Sequence, residues 1–345
     1  METRLRGRQW MAQWWAGEGG PLGRVLDVAL APAELLFRAG VSARNLAYDR
    51  GWLRFERAPV PVVGVGNLGV GGAGKTPVAA WIAARLRGWG MRPAVVLRGY
   101  GADEIQVHRE LNPDLPVFAA PRRVDAARRA AAAGCDVVVL DDGFQHRALA
   151  RDLDIVLVPV EGWSDRRRLL PRGPWREAAA ALRRAGVVVV TRKSAPAEAG
   201  ERVARDVGRV APGVPLAGCW IAPVGLVPAL ADGPPRRRAP GGGPALAVAA
   251  LADPRPFVEH LVALGFDVEL AAYPDHHPFD AREAGALARR AGERPILMTH
   301  KDAVKLRSLL PSTADAWVLR QEVRFTSGEE ALERALGAAV GRRGA

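Results

Sequence analysis

A lysine and a threonine at the end of a glycine-rich stretch are the residues best suited to phosphate chemistry. Residues 69–76 match the pattern G-x-x-x-x-G-K-[ST], in which backbone N–H groups hold phosphates, the lysine reaches the β- and γ-phosphates and the hydroxyl binds Mg²⁺. Such dense glycines could also form only a flexible turn, but a strand-like apolar run precedes them and residues 77–86 have helical composition. We therefore expect a nucleoside triphosphate to bind at Gly69, Val70, Gly71, Gly72, Ala73, Gly74, Lys75 and Thr76.

Pairs of carboxylates follow two other apolar runs. Residues 137–140 lead into Asp141 and Asp142, and a carboxylate at the end of a buried strand is what a P-loop enzyme needs to hold Mg²⁺ opposite the loop. Because side chains alternate along an extended backbone, we expect these two to have different roles. Asp103 and Glu104 come soon after the strand-like residues 92–97. They form either a solvated acidic turn or part of a site at the carboxyl end of a sheet.

The charge balance favours an anionic partner. The 345 residues include 49 Lys+Arg and 37 Asp+Glu, a net charge of +12, although only four of the basic residues are lysines. Nucleotide, nucleic acid or an acidic membrane would each fit that charge. A basic loop at residues 166–177 is either an ordinary charged surface or a recognition element for an anionic substrate. Cys135 and Cys219 lack metal-ligand spacing, which disfavours a zinc site or disulfide and fits a reducing compartment.

Alternating strand and helix patterns predict the fold. We expect a P-loop NTPase-type α/β fold, with a mainly parallel sheet and helices on both faces, plus a smaller C-terminal α/β lobe. A breaker-rich connection at residues 231–244 separates the two. The expected domains are an N-terminal amphipathic segment, a P-loop kinase domain and a second lobe that closes an active cleft, at residues 1–50, 51–230 and 245–345.

The N-terminal segment has the pattern of an amphipathic helix. Apolar residues recur with a 3.6-residue period between Leu22 and Val41, with a kink expected at Pro32. This apolar face either packs on the main domain or lies in a membrane interface, helped by nearby tryptophans and arginines, and both can hold at once. The chain has no apolar stretch of spanning length and its start lacks the features of a signal peptide.

Six motifs, in order, resemble those of the tetraacyldisaccharide 4′-kinase family, the lipid A 4′-kinases of Gram-negative envelopes. They are Val-Gly-Asn-Leu with Gly-Gly-Ala-Gly-Lys-Thr-Pro at 65–77, Arg-Gly-Tyr-Gly at 98–101, Asp-Asp-Gly-Phe-Gln-His at 141–146, Leu-Pro-Arg-Gly-Pro at 170–174, Tyr-Pro-Asp-His-His at 273–277 and His-Lys-Asp-Ala-Val-Lys-Leu at 300–306. The resemblance covers roughly residues 20 to 325. Gly69 stands where the family usually has a hydroxyl residue, which is tolerable because that position works mainly through its backbone.

This resemblance implies a reaction and a location. ATP with Mg²⁺ would phosphorylate the 4′-hydroxyl of a tetraacyldisaccharide 1-phosphate, giving the 1,4′-bisphosphate. The acceptor is a glycolipid, so the enzyme would associate peripherally with the cytoplasmic face of the bacterial inner membrane. Neither a nucleic acid nor a protein partner is implied. The alternatives are a P-loop ligase acting on a soluble acid and a nucleic-acid-associated P-loop regulator, for which the chain has no recognisable nucleic-acid module.

The resemblance also implies roles for single residues. Lys75 would hold phosphates, Thr76 would hold Mg²⁺ with Asp141, Glu104 and Gln145 as further candidates, and Asp142 would contact Lys75 or the nucleophile. The base would be Asp103 paired with His276, supported by Asp275. The segment Asp275-His276-His277 could instead form a metal-binding or merely structural turn.

Overall fold

The computed structural model describes residues 10, 11, 13–99, 102–230 and 241–342. The arginines at 4, 6 and 8, which were expected to help at a membrane, lie outside these residues. Most of the breaker-rich connection at residues 231–244 does so too. The chain divides into two compact units, the first comprising Met1–Tyr100, His108–Trp220 and Val323–Ala345 and the second comprising Gly101–Val107 and Ile221–Glu322. Since the chain passes between the units four times, the expected ranges 51–230 and 245–345 do not coincide with them.

The first unit contains a parallel sheet with helices. Its strands are Val62–Asn67 (β1), Pro93–Leu97 (β2), Val117–Ala119 (β3), Val137–Asp141 (β4), Leu153–Pro159 (β5), Val187–Arg192 (β6) and the start of Leu216–Pro228 (β7). Its helices are Gly20–Ala29 (α1), Ala31–Asp49 (α2), Lys75–Gly88 (α3), the end of Ala102–Leu111 (α4), Arg123–Ala132 (α5), Ala197–Val210 (α6) and Glu329–Ala339, with 3-10 turns at Val160–Gly162 and Ala179–Arg184.

The strand order in the first unit is β3-β2-β4-β1-β5-β6-β7, and each neighbouring pair is parallel. All six residues of β1 are buried, as expected for a β-branched run in the middle of a parallel sheet. The register pairs Val65 of β1 with Asp141 of β4. This pairing brings the carboxyl end of β4 beside the point where β1 enters the glycine-rich loop.

The second unit has its own parallel strands, in the order β11-β10-β8-β9. These strands are Gly243–Ala249 (β8), Phe266–Ala272 (β9), Ile296–Met298 (β10) and Ala316–Ser327 (β11), the last continuing into the first unit. Its helices are Arg255–Ala263 (α7), Ala281–Ala291 (α8) and His300–Leu306 (α9); the first unit's last helix is therefore α10. The prediction of a parallel α/β fold is confirmed.

The N-terminal amphipathic pattern forms two helices and not one kinked helix. Leu30 ends α1 and precedes α2, and Pro32 lies in the first turn of α2. Proline is tolerated there because the first N–H groups of a helix have no partner within the helix. It therefore begins a second helix, and the prediction of a kink at Pro32 is wrong.

Two carboxylates tie these helices to the basic loop. Asp27 of α1 forms an ion pair with Arg168, and Glu34 of α2 accepts from Arg172 at 3.0 Å and from the N–H of Leu169 at 2.8 Å. Burial raises the pKa of Asp27, but its hydrogen bond and ion pair with Arg168 outweigh this and lower it overall. The basic loop of residues 166–177 is thus partly neutralised by the N-terminal helices.

Several large apolar side chains of α1 and α2 are exposed, namely those of Leu22, Val25, Val28, Leu35, Leu36 and Leu46. Trp14 instead packs inward: it is 5% exposed and its indole N–H donates to the carbonyl of Gly23 at 3.0 Å. The Trp14 ring is therefore buried, and the membrane role expected of the tryptophans before α1 stays a prediction. No helix in the described part of the chain combines the length and apolar character needed to cross a bilayer.

Candidate active site

The glycine-rich loop joins β1 to α3 and has the geometry of a phosphate cradle. Gly71 and Gly74 have φ of 108° and 82°, left-handed conformations that glycine adopts without strain, and α3 begins immediately after Gly74. A β-carbon on Gly69 would lie 3.1 Å from the carbonyl oxygen of Pro174, and the next N–H, of Val70, donates to that oxygen at 2.8 Å. A side chain at position 69 would therefore require the Pro174 carbonyl to shift slightly, and glycine avoids this crowding.

Lys75 lies within a cluster of four polar side chains. Its ammonium donates to Asn67 Oδ1 at 3.3 Å and lies 3.5 Å from Asp142 Oδ1. Arg176 bridges the same two groups, donating to Asn67 Oδ1 at 2.6 Å and to both Asp142 oxygens at 2.9 and 3.2 Å. Two cations thus converge on one carboxylate and one amide oxygen beside the loop, an arrangement that favours an incoming polyanion.

Asp142 follows β4 in a left-handed conformation, with φ of 53°. Asp141 and Asp142 were expected to have different roles because an extended backbone would point them apart. That reason is wrong, since Asp142 is not extended, but the two residues do have different partners. Burial raises the pKa of Asp142, but the hydrogen bond from Arg176 and the charge of Lys75 outweigh it and bring the pKa to about 2. Asp142 is therefore a carboxylate at neutral pH that forms ion pairs with both cations and balances one of their two charges.

Asp141 faces the start of α3. Its Oδ2 accepts from the Thr76 hydroxyl at 3.1 Å and lies 3.0 Å from Nε2 of His108, a side chain that is completely buried. Its Oδ1 is buried and has no hydrogen-bond partner among the described residues. An unpartnered buried carboxylate oxygen next to a threonine hydroxyl fits the oxygen ligands that Mg²⁺ prefers.

The other two metal candidates take different places. Gln145 donates its amide to the carbonyl of Asn67 at 2.8 Å, and its own oxygen is buried without a partner among the described residues. Glu104 lies in the first turn of α4 and belongs to the second unit. Asp103 and Glu104 thus lie in the first turn of a helix and do not form the solvated acidic turn that was the alternative. Their metal and base roles remain predictions.

Asp103 and His276 contact each other within the second unit. His276 Nδ1 lies 3.1 Å from Asp103 Oδ2, and the Asp103 side chain is 8% exposed while that of His276 is 46% exposed. His276 has a φ of 60°, an uncommon conformation for a residue other than glycine. His277 turns to another partner, Glu283, at 2.9 Å. Because the two histidines have separate carboxylate partners, they do not form a shared metal site.

Two lysines complete this second cluster. Lys301 donates to Asp275 Oδ1 at 2.6 Å and lies 3.1 Å from His276 Nε2, whereas Asp275 itself is 3.9 Å from that nitrogen. Asp275 therefore supports the imidazole through Lys301 and not by a direct hydrogen bond. Lys305 lies 4.0 Å from Asp103. Burial lowers the pKa of Lys305, although Asp302 and Asp103 oppose the shift.

The sequence interpretation missed several of these residues. Arg176 and His108 join the site through contacts 109 and 33 positions away along the chain, and no local pattern marks His108, whereas Asn67 stands 8 positions before Lys75. Composition did hold a signal for the lysines. All four lysines of the chain lie in the loop or in one of the clusters: Lys75, Lys193 on the carbonyl of Gly72, Lys301 and Lys305.

Comparisons with known proteins agree with the motifs. A family model described as tetraacyldisaccharide-1-P 4′-kinase matches residues 26–115 and 103–341. The tetraacyldisaccharide 4′-kinase of Anaeromyxobacter sp. (strain K) is 41% identical, covering 95% of each chain, and that of Halorhodospira halophila is 38% identical, covering 86% of this chain and 88% of its own. The crystal structure of LpxK from Aquifex aeolicus in complex with ATP has a TM-score of 0.69 at 26% identity, covering 91% of this chain and 99% of that one. The chain therefore belongs to the tetraacyldisaccharide 4′-kinase family.

Proposed function

We propose that the protein transfers the γ-phosphoryl group of ATP to the 4′-hydroxyl of a tetraacylated glucosamine disaccharide 1-phosphate, forming the 1,4′-bisphosphate and ADP. Family membership supports the acceptor and the donor, since the relatives are named for this acceptor and the solved LpxK structure is an ATP complex. A ligase for a soluble acid and a nucleic-acid-associated regulator are not favoured by these comparisons.

One observation carries the choice of an alcohol kinase: the 3.1 Å contact between Asp103 and His276. Phosphate loops occur in many enzymes and regulators, whereas a hydroxyl nucleophile needs a group that accepts its proton as the P–O bond forms. The ammonium of Lys301 can only donate to His276 Nε2, so Nδ1 carries the proton and donates to Asp103. Asp103 is then the acceptor of the hydroxyl proton, with His276 stabilising its carboxylate.

The loop cluster would stabilise the charge that moves during transfer. Lys75 and the backbone of residues 71–75 would hold the β- and γ-phosphates, and Arg176 would add a second cation. Asp142 keeps both cations in place before ATP arrives, because its carboxylate contacts each of them.

Mg²⁺ would be held by Thr76 and by the Asp141 oxygen that has no hydrogen-bond partner among the described residues, with Gln145 as a further ligand, direct or through water. When bound, the ion neutralises phosphate charge. His108 and Thr76 fix the orientation of the Asp141 carboxylate by binding its other oxygen.

Peripheral attachment to the cytoplasmic face of the inner membrane fits the N-terminal helices. Their carboxylates bind the basic loop while the exposed apolar side chains remain available to lipid. Trp52 and Phe55, just after α2, are also exposed and extend the apolar surface of this segment. Apolar area with basic charge nearby is the composition of interfacial helices. A lipid-bound enzyme would meet its acylated acceptor at the membrane surface.

The decisive experiment incubates the purified protein with γ-³²P-labelled ATP, Mg²⁺ and tetraacyldisaccharide 1-phosphate in detergent, then separates lipids by thin-layer chromatography. We expect label in a lipid carrying one more phosphate. The matched control acceptor has its 4′-hydroxyl methylated and should remain unlabelled. Label appearing only in inorganic phosphate, or in a soluble acid supplied instead, would contradict the proposal.

A further inference from the structure

Two successive carbonyl groups of the phosphate loop are held by the end of β6. Lys193 donates from its ammonium to the carbonyl of Gly72 at 2.6 Å. Thr191, which is buried, donates from its hydroxyl to the carbonyl of Ala73 at 3.0 Å. Neither residue belongs to the loop motif, and both lie about 120 positions further along the chain.

These contacts matter because a phosphate loop works through its N–H groups. In a trans peptide the C=O and N–H groups point in opposite directions, so a carbonyl fixed toward β6 aims the next N–H away from β6. The Gly72 carbonyl fixes the N–H of Ala73, which closes the turn by donating to Gly71 at 3.1 Å. The Ala73 carbonyl likewise fixes the N–H of Gly74 at the start of α3. Carbonyl oxygens that turned into the cradle would instead repel a phosphate.

The turn that carries Lys193 is itself tightly held. Glu161 Oε1 accepts from the N–H groups of Lys193, Ser194 and Ala195 at 2.7, 3.1 and 3.3 Å. The carbonyl of Lys193 accepts from the indole N–H of Trp220 at 2.7 Å. Hydrogen bonds to a carboxylate are stronger than neutral ones, so the backbone from which the Lys193 side chain extends is held in place. An ordinary surface lysine has no such support.

We propose that Lys193 is a positioning residue that holds the phosphate loop in its ATP-binding conformation through the Gly72 carbonyl. Lys193 also adds a second positive charge beside the loop. That charge lies on the side of the loop facing away from the backbone N–H groups. Lys193 takes no part in the chemical step. This inference rests on the proposed function, since it presumes that ATP is the nucleotide bound.

The test compares Lys193→Ala, Lys193→Arg and Arg205→Ala in the full chain. Arg205, on α6, is a charge-matched control because it is exposed and forms an ion pair with Glu201, one turn away on the same helix. Loss of a charge-assisted hydrogen bond should raise the Kd for ATP roughly tenfold in Lys193→Ala, measured by calorimetry. Its kcat at saturating ATP should stay close to that of the unaltered protein, because uniform binding has been lost. Lys193→Arg should recover most of the affinity, and Arg205→Ala should bind ATP normally.

Glu161→Gln provides a second test if Lys193→Ala fails to fold. It keeps the ammonium but weakens the turn that carries it, so the Kd for ATP should rise in the same direction by a smaller factor. Unchanged affinity in folded Lys193→Ala or Glu161→Gln, or a fall in kcat with an unchanged Kd, would overturn the inference. If the unaltered protein bound no ATP, the proposed function itself would fail, which the same titration reveals separately.

Discussion

Replacing Val28 and Leu36 by serine tests whether the exposed side of α1 and α2 binds lipid. These side chains are 76% and 75% exposed, so nearly all their apolar surface is available to a bilayer. Burying such a side chain is worth about 1.5 kcal/mol at the lower end of the usual range. Losing two of them removes about 3 kcal/mol, which corresponds to roughly a hundredfold weaker partitioning onto membranes.

The assay is co-sedimentation with vesicles of phosphatidylethanolamine and phosphatidylglycerol at fixed ionic strength. The matched control is Val262→Ser, which removes another exposed valine, 55% exposed, on α7 of the second unit. Surface substitutions of this kind change stability by only about 0.5 kcal/mol, so melting temperature and ATP affinity should be unchanged in all variants. We expect the double variant to lose vesicle binding and activity on lipid presented in vesicles.

Equal vesicle binding by the double variant and the Val262→Ser control would refute this reasoning. The exposed side chains would then have no role in membrane contact, and attachment would have to come from elsewhere in the chain. A double variant that melted early would point instead to a packing role. That outcome would agree with the alternative in which the apolar face of the segment packs on the protein.

Three further predictions concern the site. Lys75→Ala should fold normally and lose on the order of 10²-fold or more in rate, because it removes preorganised charge stabilisation, and near-normal turnover would exclude the assigned role. Since the pKa of Asp142 is lowered from 3.8 to about 2, its ion pairs stabilise the fold above pH 3.8 and that contribution fades as the pH falls toward 2. The melting-temperature gap between the protein and Asp142→Asn should therefore close across that range, and a constant gap would contradict the ion pairs. Asp103→Ala and His276→Ala should each lose rate strongly and the double variant little more, whereas multiplicative losses would mean that they act independently.

The parts of the fold that depend on local pattern could be predicted from the sequence. The glycine-rich loop was predictable because a β-branched strand and a helix flank it within a few residues. Asp141 was predictable because a P-loop enzyme needs a carboxylate at the end of a buried strand opposite the loop, and the structure places its Oδ2 3.1 Å from the Thr76 hydroxyl.

Other parts depend on contacts that no local pattern encodes. Arg176 lies 109 positions from Asn67, yet donates to it at 2.6 Å. Lys301 contacts both Asp275 and His276, and this could not be predicted because it depends on how α9 lies beside the turn after β9. The helix break before Pro32 was ambiguous because proline is compatible both with a kink and with the first turn of a new helix.

The chain offers amine-directed reagents few targets, because it has only four lysines. Apart from the terminal amine, an acylating label has Lys75, Lys193, Lys301 and Lys305 as its targets, since the other 45 of the 49 basic residues are arginines. Covalent labelling followed by peptide mass mapping would therefore report on the phosphate loop and the Asp103 cluster and on little else. Bound ATP should shield Lys75, and the lowered pKa of Lys305 leaves a larger unprotonated fraction to react at mild pH. A reagent that labels amines in any protein can thus serve here as a site-specific probe for screening nucleotides and inhibitors.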